Sequence, residues 1–228
     1  MVEVLALNIA ESEKLVQMNH LLTPDKRKRI SSIKHPPSAR QILASDLLAR
    51  AIICDRLGRE NQSIEFGFNE NGKPFLLGGE DFHFNMSHAG DWVVMAISPY
   101  ETGIDIENIF PLDIEIARYF FTSFEYQQLK KLPASLQLDH FFQIWTLKES
   151  YSKMTGAGLS MEMNSFSIEL NSASGSPRLF PGNSTPVFFR QYDFISDYKL
   201  SVCSRENSFT DQIIVITEDA LLRTLASL

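Results

Sequence analysis

Cysteine is scarce in this chain: two in 228 residues, Cys54 and Cys203, far apart in apolar surroundings and without a C-x-x-C pair or metal-ligand spacing. A disulfide framework and a cysteine-built metal site are thereby excluded, and both residues are expected to be buried free thiols in a reducing compartment. No apolar run approaches the length of a membrane span, and the start, Met1-Val2-Glu3-Val4-Leu5, has no basic region leading into an apolar stretch. A cytoplasmic protein that stays out of membranes is expected. An excess of positive charge is missing too. The formal net charge of −7 argues against a general nucleic-acid binder. The basic residues that do occur gather in Lys26-Arg27-Lys28-Arg29, followed by Lys34, Arg40 and Arg50, which suits gripping a small polyanion. What the chain has in quantity is core-forming material, 44% hydrophobic and 11% aromatic, enough for one large domain or two small ones.

The stretch Gly103-Ile104-Asp105-Ile106-Glu107 follows an apolar, β-branched run, Val93 to Ile97, and a turn carrying Pro99. Alternation of isoleucine with acid predicts a strand that places Asp105 and Glu107 on one face. Two adjacent carboxylates repel, so a partly buried pair needs a cation, a shared proton or basic neighbours. A hard divalent metal bound by oxygen, Mg2+ beside a phosphate substrate, is one answer. A solvated strand face is the other.

Taken in order, the chain predicts a strand over Val2 to Ile9, a short helix over Glu11 to Leu22, and a basic helix opened by Thr23-Pro24 and ended by Pro36-Pro37. Ser38 is expected to cap a longer helix with a stripe of Leu43, Leu47, Leu48, Ala51 and Ile52, closed by Gly58. Strands follow over Ile64 to Phe68, from Lys73 after the Asn71-Gly72 turn, over Phe82 to Ser87 with a break at His88, and over Trp92 to Ser98. The pattern then recurs. Helices are expected over Leu112 to Phe121, Ser123 to Leu132 and Leu138 to Thr155, a strand over Ser165 to Leu170, a loop over Asn171 to Pro186, and a hairpin of Val187 to Phe194 with Tyr198 to Ser204. A strand over Gln212 to Thr217 and a helix over Asp219 to Leu228 close the chain. The two patterns align at an offset of roughly 105 residues, with Ile64-Glu65-Phe66 opposite Ile168-Glu169-Leu170 and Val93 to Ser98 opposite Leu200 to Ser204. The fold class read from this is α+β, two similar subdomains (1–102 and 103–228) with a cleft between them, where ligand sites often lie.

On the long helix of the second half, Trp145, Glu149 and Lys153 share a face at i, i+4, i+8. Glu149 and Lys153 fit a surface ion pair. They equally fit a site in which Glu149 completes a three-carboxylate set with Asp105 and Glu107 while Lys153 meets a phosphate.

Gly103-Ile104-Asp105-Ile106-Glu107 and Trp145-Thr146-Leu147-Lys148-Glu149-Ser150-Tyr151-Ser152-Lys153 together resemble the paired signature of the 4′-phosphopantetheinyl transferases, G-[IV]-D-[IV]-E and W-[ST]-x-K-E-[AS]-x-x-K. Gly72-Lys73-Pro74 and Phe84-Asn85-Met86-Ser87-His88 resemble two further segments of the larger, surfactin-synthetase-activating branch, whose length and doubled layout are also similar. The resemblance implies a pseudo-twofold pair of α+β halves with the site between them. It also implies transfer of the phosphopantetheine arm of coenzyme A to a serine of an apo acyl or peptidyl carrier protein, with Mg2+ and release of 3′,5′-ADP. Asp105, Glu107 and Glu149 would then hold the metal. Glu149, or a water on the metal, would take the serine proton, and Lys153 would steady the leaving group. Ser87 and His88 would stand at the phosphates, while Lys26, Arg29, Arg40 and Lys73 resemble positions that bind the phosphoadenosine end. Glu125 resembles a further acid near the site. Phe120, Phe121, Phe124 and Tyr126 fit either a carrier platform or core packing. A monomer with no nucleic-acid partner is expected. The alternatives from other classes are a Mg2+-dependent phosphohydrolase and a non-catalytic binder of coenzyme A or nucleotides.

Overall fold

The computed structural model of the chain describes residues 1–170, 176–182 and 185–227. Strand β1 (Glu3–Asn8) opens the chain and leads into a 3-10 helix, Ser12–Leu21. Sequence periodicity predicts an ordinary short helix there. Leu15, Met18 and Leu21, which pack on the core, recur every third residue, the repeat of the tighter helix. Helix α1 (Pro24–Ser31) starts as expected, its Thr23 side chain accepting from the Lys26 amide. Helix α2 (Pro36–Leu57) corrects the expectation at its start: Pro36-Pro37 opens it, and His35 rather than Ser38 is the cap. Proline suits the first turn because its missing N–H would find no partner there.

After α2 come the hairpin β2 (Phe66–Phe68) with β3 (Pro74–Leu76), then β4 (His83–Ala89) and β5 (Trp92–Ser98). Strand β4 runs on through His88, the expected break being deferred to Gly90. Strand β6 (Thr102–Asn108) carries the paired acids. The helix expected over Leu112 to Phe121 is instead a 3-10 turn, Ile114–Ile116, capped by Asp113, and a single turn, α3 (Ala117–Phe120). Helix α4 (Ser123–Lys131) precedes α5 (Ala134–Thr155), which starts before the expected Leu138; its first turn holds an exposed Leu136 and so lacks the apolar stripe that marks the rest. Strands β7 (Ser167–Glu169) and β8 (Arg178–Phe180) pair, the latter inside the stretch read as loop, part of which lies outside the described residues. Strands β9 (Phe188–Tyr192), β10 (Tyr198–Ser204) and β11 (Ile214–Ile216) and helix α6 (Glu218–Ala226) follow; Leu228, the expected end of that helix, lies outside the described residues.

Among the described residues the two larger sheets, ordered β11-β1-β5-β4 and β6-β10-β9, stand beside the two-stranded pairs β2-β3 and β7-β8. Within them only β1 with β11 is parallel. The doubled layout is plain in this topology. Strands β1, β5 and β4 correspond to β6, β10 and β9, hairpin β2-β3 to β7-β8, and α2 to α5, each of these helices being 22 residues long. One core lies between the first sheet and α2, with Leu5, Leu7, Leu47 and Met95 among its members; another surrounds α5 with Phe141, Leu147 and Phe189. A third joins the sheets back to back through Val4, Ala6, Val94, Ile104, Ile106 and Val202. The chain end returns to the first half, β11 beside β1 and Leu221 and Leu225 in the α2 core.

Candidate active site

Strand alternation sends Ile104 and Ile106 into the core between the sheets, which turns Gly103, Asp105 and Glu107 toward α5. At Gly103 the two elements are in backbone contact: a Cβ there would overlap the Ser150 carbonyl oxygen and the Met154 amide. Glycine is therefore what lets α5 lie close enough for its side chains to reach the acids.

Asp105 is 3% exposed. Its Oδ1 accepts from Lys153 Nζ at 2.5 Å and from Ser87 Oγ at 3.0 Å, and Lys153 also donates to Ser87 Oγ at 2.9 Å. Strand β4 of the first half and helix α5 of the second thus converge on one carboxylate oxygen. The other, Oδ2, is buried and has no hydrogen-bond partner among the described residues. Burial pushes the Asp105 carboxyl upward in pKa, against the pull of Lys153 and Ser87. Glu107 accepts from the Trp145 indole N–H at 3.2 Å, and that ring is held by Phe141 in parallel and by Phe120 edge-on. Burial, and then the Asp105 charge, raise the Glu107 pKa to about 7. The lysine opposite Glu107, Lys199, is engaged elsewhere, at 2.7 Å from Asp139. Glu149 is raised by burial and by Asp105. The three acids sense one another, yet among the described residues no group of three or more His, Cys, Asp or Glu side chains is gathered closely enough to hold a metal ion. Lys153 is the cation on Asp105.

Beside this cluster a cavity of about 270 Å³ is lined by Lys26 and Arg29 of α1, by Phe66, Phe68, Phe84 and Met86, and by His88. Partial burial and then Lys153 lower the His88 pKa, although the residue is exposed overall. Lys26 pairs with Asp46 at 2.7 Å, and the Arg29 guanidinium has no partner among the described residues. Arg40 and Lys73 are not brought to this cavity. Arg40 lines a separate one of about 470 Å³ with Arg27 and Ile30, and its nearest acid is Asp91 at 3.7 Å. The Lys73 ammonium is spent on the carbonyls of Thr102 and Met154, each at 3.0 Å.

Glu125 is likewise away from the acids. It is buried, forms the capping box with Thr122, accepts from the Ile168 amide at 2.7 Å and pairs with the fully buried Lys148 at 2.9 Å. Lys148 also donates to the carbonyls of Met163 and Phe166 and lies over the Phe166 ring. Sequence reading missed this anchor, although the lysine stands in the W-T-L-K-E segment beside Glu149. It missed Asn85 as well, whose side chain accepts from the Ile104 amide at 2.9 Å and ties β4 to β6. Of the four aromatics that fit either a carrier platform or core packing, Phe121 is buried, Phe120 packs on Trp145, Tyr126 bonds Glu115, and Phe124 remains exposed.

Two family models match consecutive parts of the chain: 4′-phosphopantetheinyl transferase, N-terminal, over residues 10–100 and the 4′-phosphopantetheinyl transferase superfamily over residues 101–203. A 4′-phosphopantetheinyl transferase of Bacillus subtilis is 36% identical over 90% of this chain and 92% of its own length. The 4′-phosphopantetheinyl transferase Sfp of Bacillus subtilis (strain 168) is 32% identical over 95% of each, and the gsp enzyme of Aneurinibacillus migulanus 40% identical over 74% of this chain and 70% of its own. With relatives of this identity spanning both halves, the chain belongs to the 4′-phosphopantetheinyl transferase superfamily and is an enzyme of the Sfp type.

Proposed function

We propose that the cleft between the halves is where this transferase works, with Asp105, Glu107, Glu149 and Lys153 at its reacting end and the Lys26, Arg29 and His88 cavity as the seat of the phosphoadenosine end of coenzyme A. The enzyme moves the 4′-phosphopantetheine of coenzyme A onto a carrier protein. The observation that carries the site assignment is the convergence of Ser87, Lys153 and Asp105, from both halves, around a carboxylate whose second oxygen is buried and unpartnered among the described residues.

An unpaired buried carboxylate oxygen beside two further acids of raised pKa is a place short of positive charge. The chemistry of these oxygen donors suits Mg2+: Asp105, Glu107 and Glu149 would hold it once drawn closer together than they stand here. Its chemistry there would be to offset the negative charge of the diphosphate facing an incoming serine oxygen. The chain's own groups do the rest. Glu149, on the α5 face that meets Asp105, takes the serine proton. The serine oxygen forms the new bond to phosphorus as the bond to the bridging oxygen breaks, and Lys153 steadies the charge left on 3′,5′-ADP. Ser87 and His88 donate to phosphate oxygens. Arg29, with its guanidinium unpaired among the described residues, grips the 3′-phosphate, and Lys26 supports it.

We keep the expected division at residues 102 and 103 as part of this reading; the start of β6 at Thr102 supports it, while β11 and α6 pack back on the first half. Cys54 and Cys203 are both buried and unpaired, which suits the cytoplasm. No described helix is long and apolar enough to cross a membrane. We read the working unit as a monomer, because both halves of the site come from one chain.

Mass spectrometry of apo carrier proteins incubated with the enzyme, coenzyme A and Mg2+ tests this reading. A phosphopantetheine adduct on the carrier serine is expected; none on carriers from fatty acid, polyketide and nonribosomal peptide synthesis would overturn it.

A further inference from the structure

We propose that Lys73 is a positioning residue for the transfer reaction: with Asn69 and Asn71 it fastens the end of α5 to the start of β6 and so sets Lys153 against Asp105. The proposal rests on the reading of those two residues as parts of the site. The turn between β2 and β3 is stiffened from within, because the Asn69 Oδ1 accepts from the amides of Asn71 at 3.0 Å and Lys73 at 2.8 Å. Both asparagines then turn their side-chain amides outward to one acceptor. The Gly156 carbonyl, immediately beyond α5, accepts from Asn69 Nδ2 at 2.8 Å and from Asn71 Nδ2 at 3.0 Å. Beside them the Lys73 ammonium bridges the Met154 carbonyl, in the last turn of α5, and the Thr102 carbonyl, at the first residue of β6.

Carbonyls at the end of a helix have no partner within it and carry the negative end of its dipole, so a cation there is both a donor and a counter-charge. What is specific here is where the two carbonyls lie. Met154 follows Lys153 in the chain and Thr102 lies three residues before Asp105 on β6, so one ammonium from the first half fixes the two elements whose side chains meet at 2.5 Å. An ammonium with two of its three donors on backbone oxygens has little left for a ligand phosphate. Lys73 also faces a different cavity, of about 390 Å³, shared with His83 and Glu101 rather than with Arg29 and His88.

Lys73→Met, Lys153→Ala and their combination in the full-length enzyme test the assignment. Loosening of a reacting group costs rate rather than binding, so Lys73→Met is expected to lower kcat about tenfold to a hundredfold while coenzyme A affinity, read by calorimetry, stays within about twofold. If the effect runs through Lys153, adding Lys73→Met to Lys153→Ala costs less than about twofold more. Lys73→Arg, which keeps charge and two donors, recovers part of kcat. Asn71→Ala gives a milder loss of the same kind and serves if Lys73→Met does not fold. Coenzyme A binding weakened tenfold with normal turnover at saturation would make Lys73 a ligand and overturn the proposal, as would losses that multiply in the combined variant. Normal turnover of Lys73→Met sinks this proposal alone, whereas normal turnover of Lys153→Ala sinks the site assignment and the proposal with it.

Discussion

Asp105 is the residue on which most contacts of the site converge, and its replacement should separate binding from folding. Asp105→Ala removes a carboxylate already costly to bury, so the folded protein is expected to survive while transfer is largely lost. Turnover titrated against Mg2+ checks this; normal transfer at limiting Mg2+ is the opposing result. Arg29 tests the other end of the cleft. Charge-assisted hydrogen bonds to a phosphate are worth ~1.5–3 kcal/mol, so Arg29→Ala is expected to weaken coenzyme A roughly ten- to a hundredfold and leave dephospho-coenzyme A almost unchanged. Arg40→Ala, facing another cavity, should treat both ligands alike. Lys73 adds a pH signature. Its pKa is lowered by burial to about 8 from 10.5, so between those values the unfolded chain holds a proton that the native state has released. Stability from this group therefore rises with pH through that window, and Lys73→Met, which keeps Glu101 and Cys203 nearby, should lower the slope relative to the parent. Urea midpoints from about pH 7 to about pH 10 would show it. The acids and Lys153 were legible in the sequence because short spacings on a strand and a helix fix which face a residue takes. The destinations of Lys73 and Arg40 were not. A long basic side chain reaches whatever acceptor the tertiary fold brings near, and nothing local in sequence names it.

At the scale of elements, the seam between β6 and α5 depends on Gly103. Gly103→Ala forces the helix backbone away from the strand, with an expected loss of about 1–3 kcal/mol from overpacking and a larger loss of transfer, since Lys153 moves with the helix. Denaturation and turnover measured on the same preparation separate the two effects. The opposite side of α5 is anchored by Lys148, and Lys148→Ala leaves Glu125 buried without its partner. A cost of about 3–5 kcal/mol is expected, read as a lower urea midpoint. Strands with strict alternation and helices with caps or closing glycines were legible along the chain, as α1, β5 and β6 show. The early start of α5 and strand β8 were not. The first lacks apolar periodicity, and the second is three residues whose only reason to be a strand is pairing with β7.

The molecule as a whole is one pattern used twice, and its two copies differ at equivalent positions. Leu5 stands opposite Met95 as Asp105 stands opposite Ser201, and Leu7 opposite Val93 as Glu107 stands opposite Lys199. The repeat was visible in sequence because lengths and turns recur. The return of β11 and α6 to the first half was not, since a strand does not declare its neighbour. The contrast between leucines and acids bears on how the protein breathes. In the first half a sheet and its long helix are held by apolar contact; along β6 the same seam is lined by carboxylates that repel. Amide hydrogens of α5 near Lys153 should therefore exchange with solvent at a lower opening free energy than those at the middle of α2. Adding coenzyme A with Mg2+ should slow the former and hardly touch the latter. The enzyme is then least settled where its substrate will sit, and binding finishes what folding leaves loose.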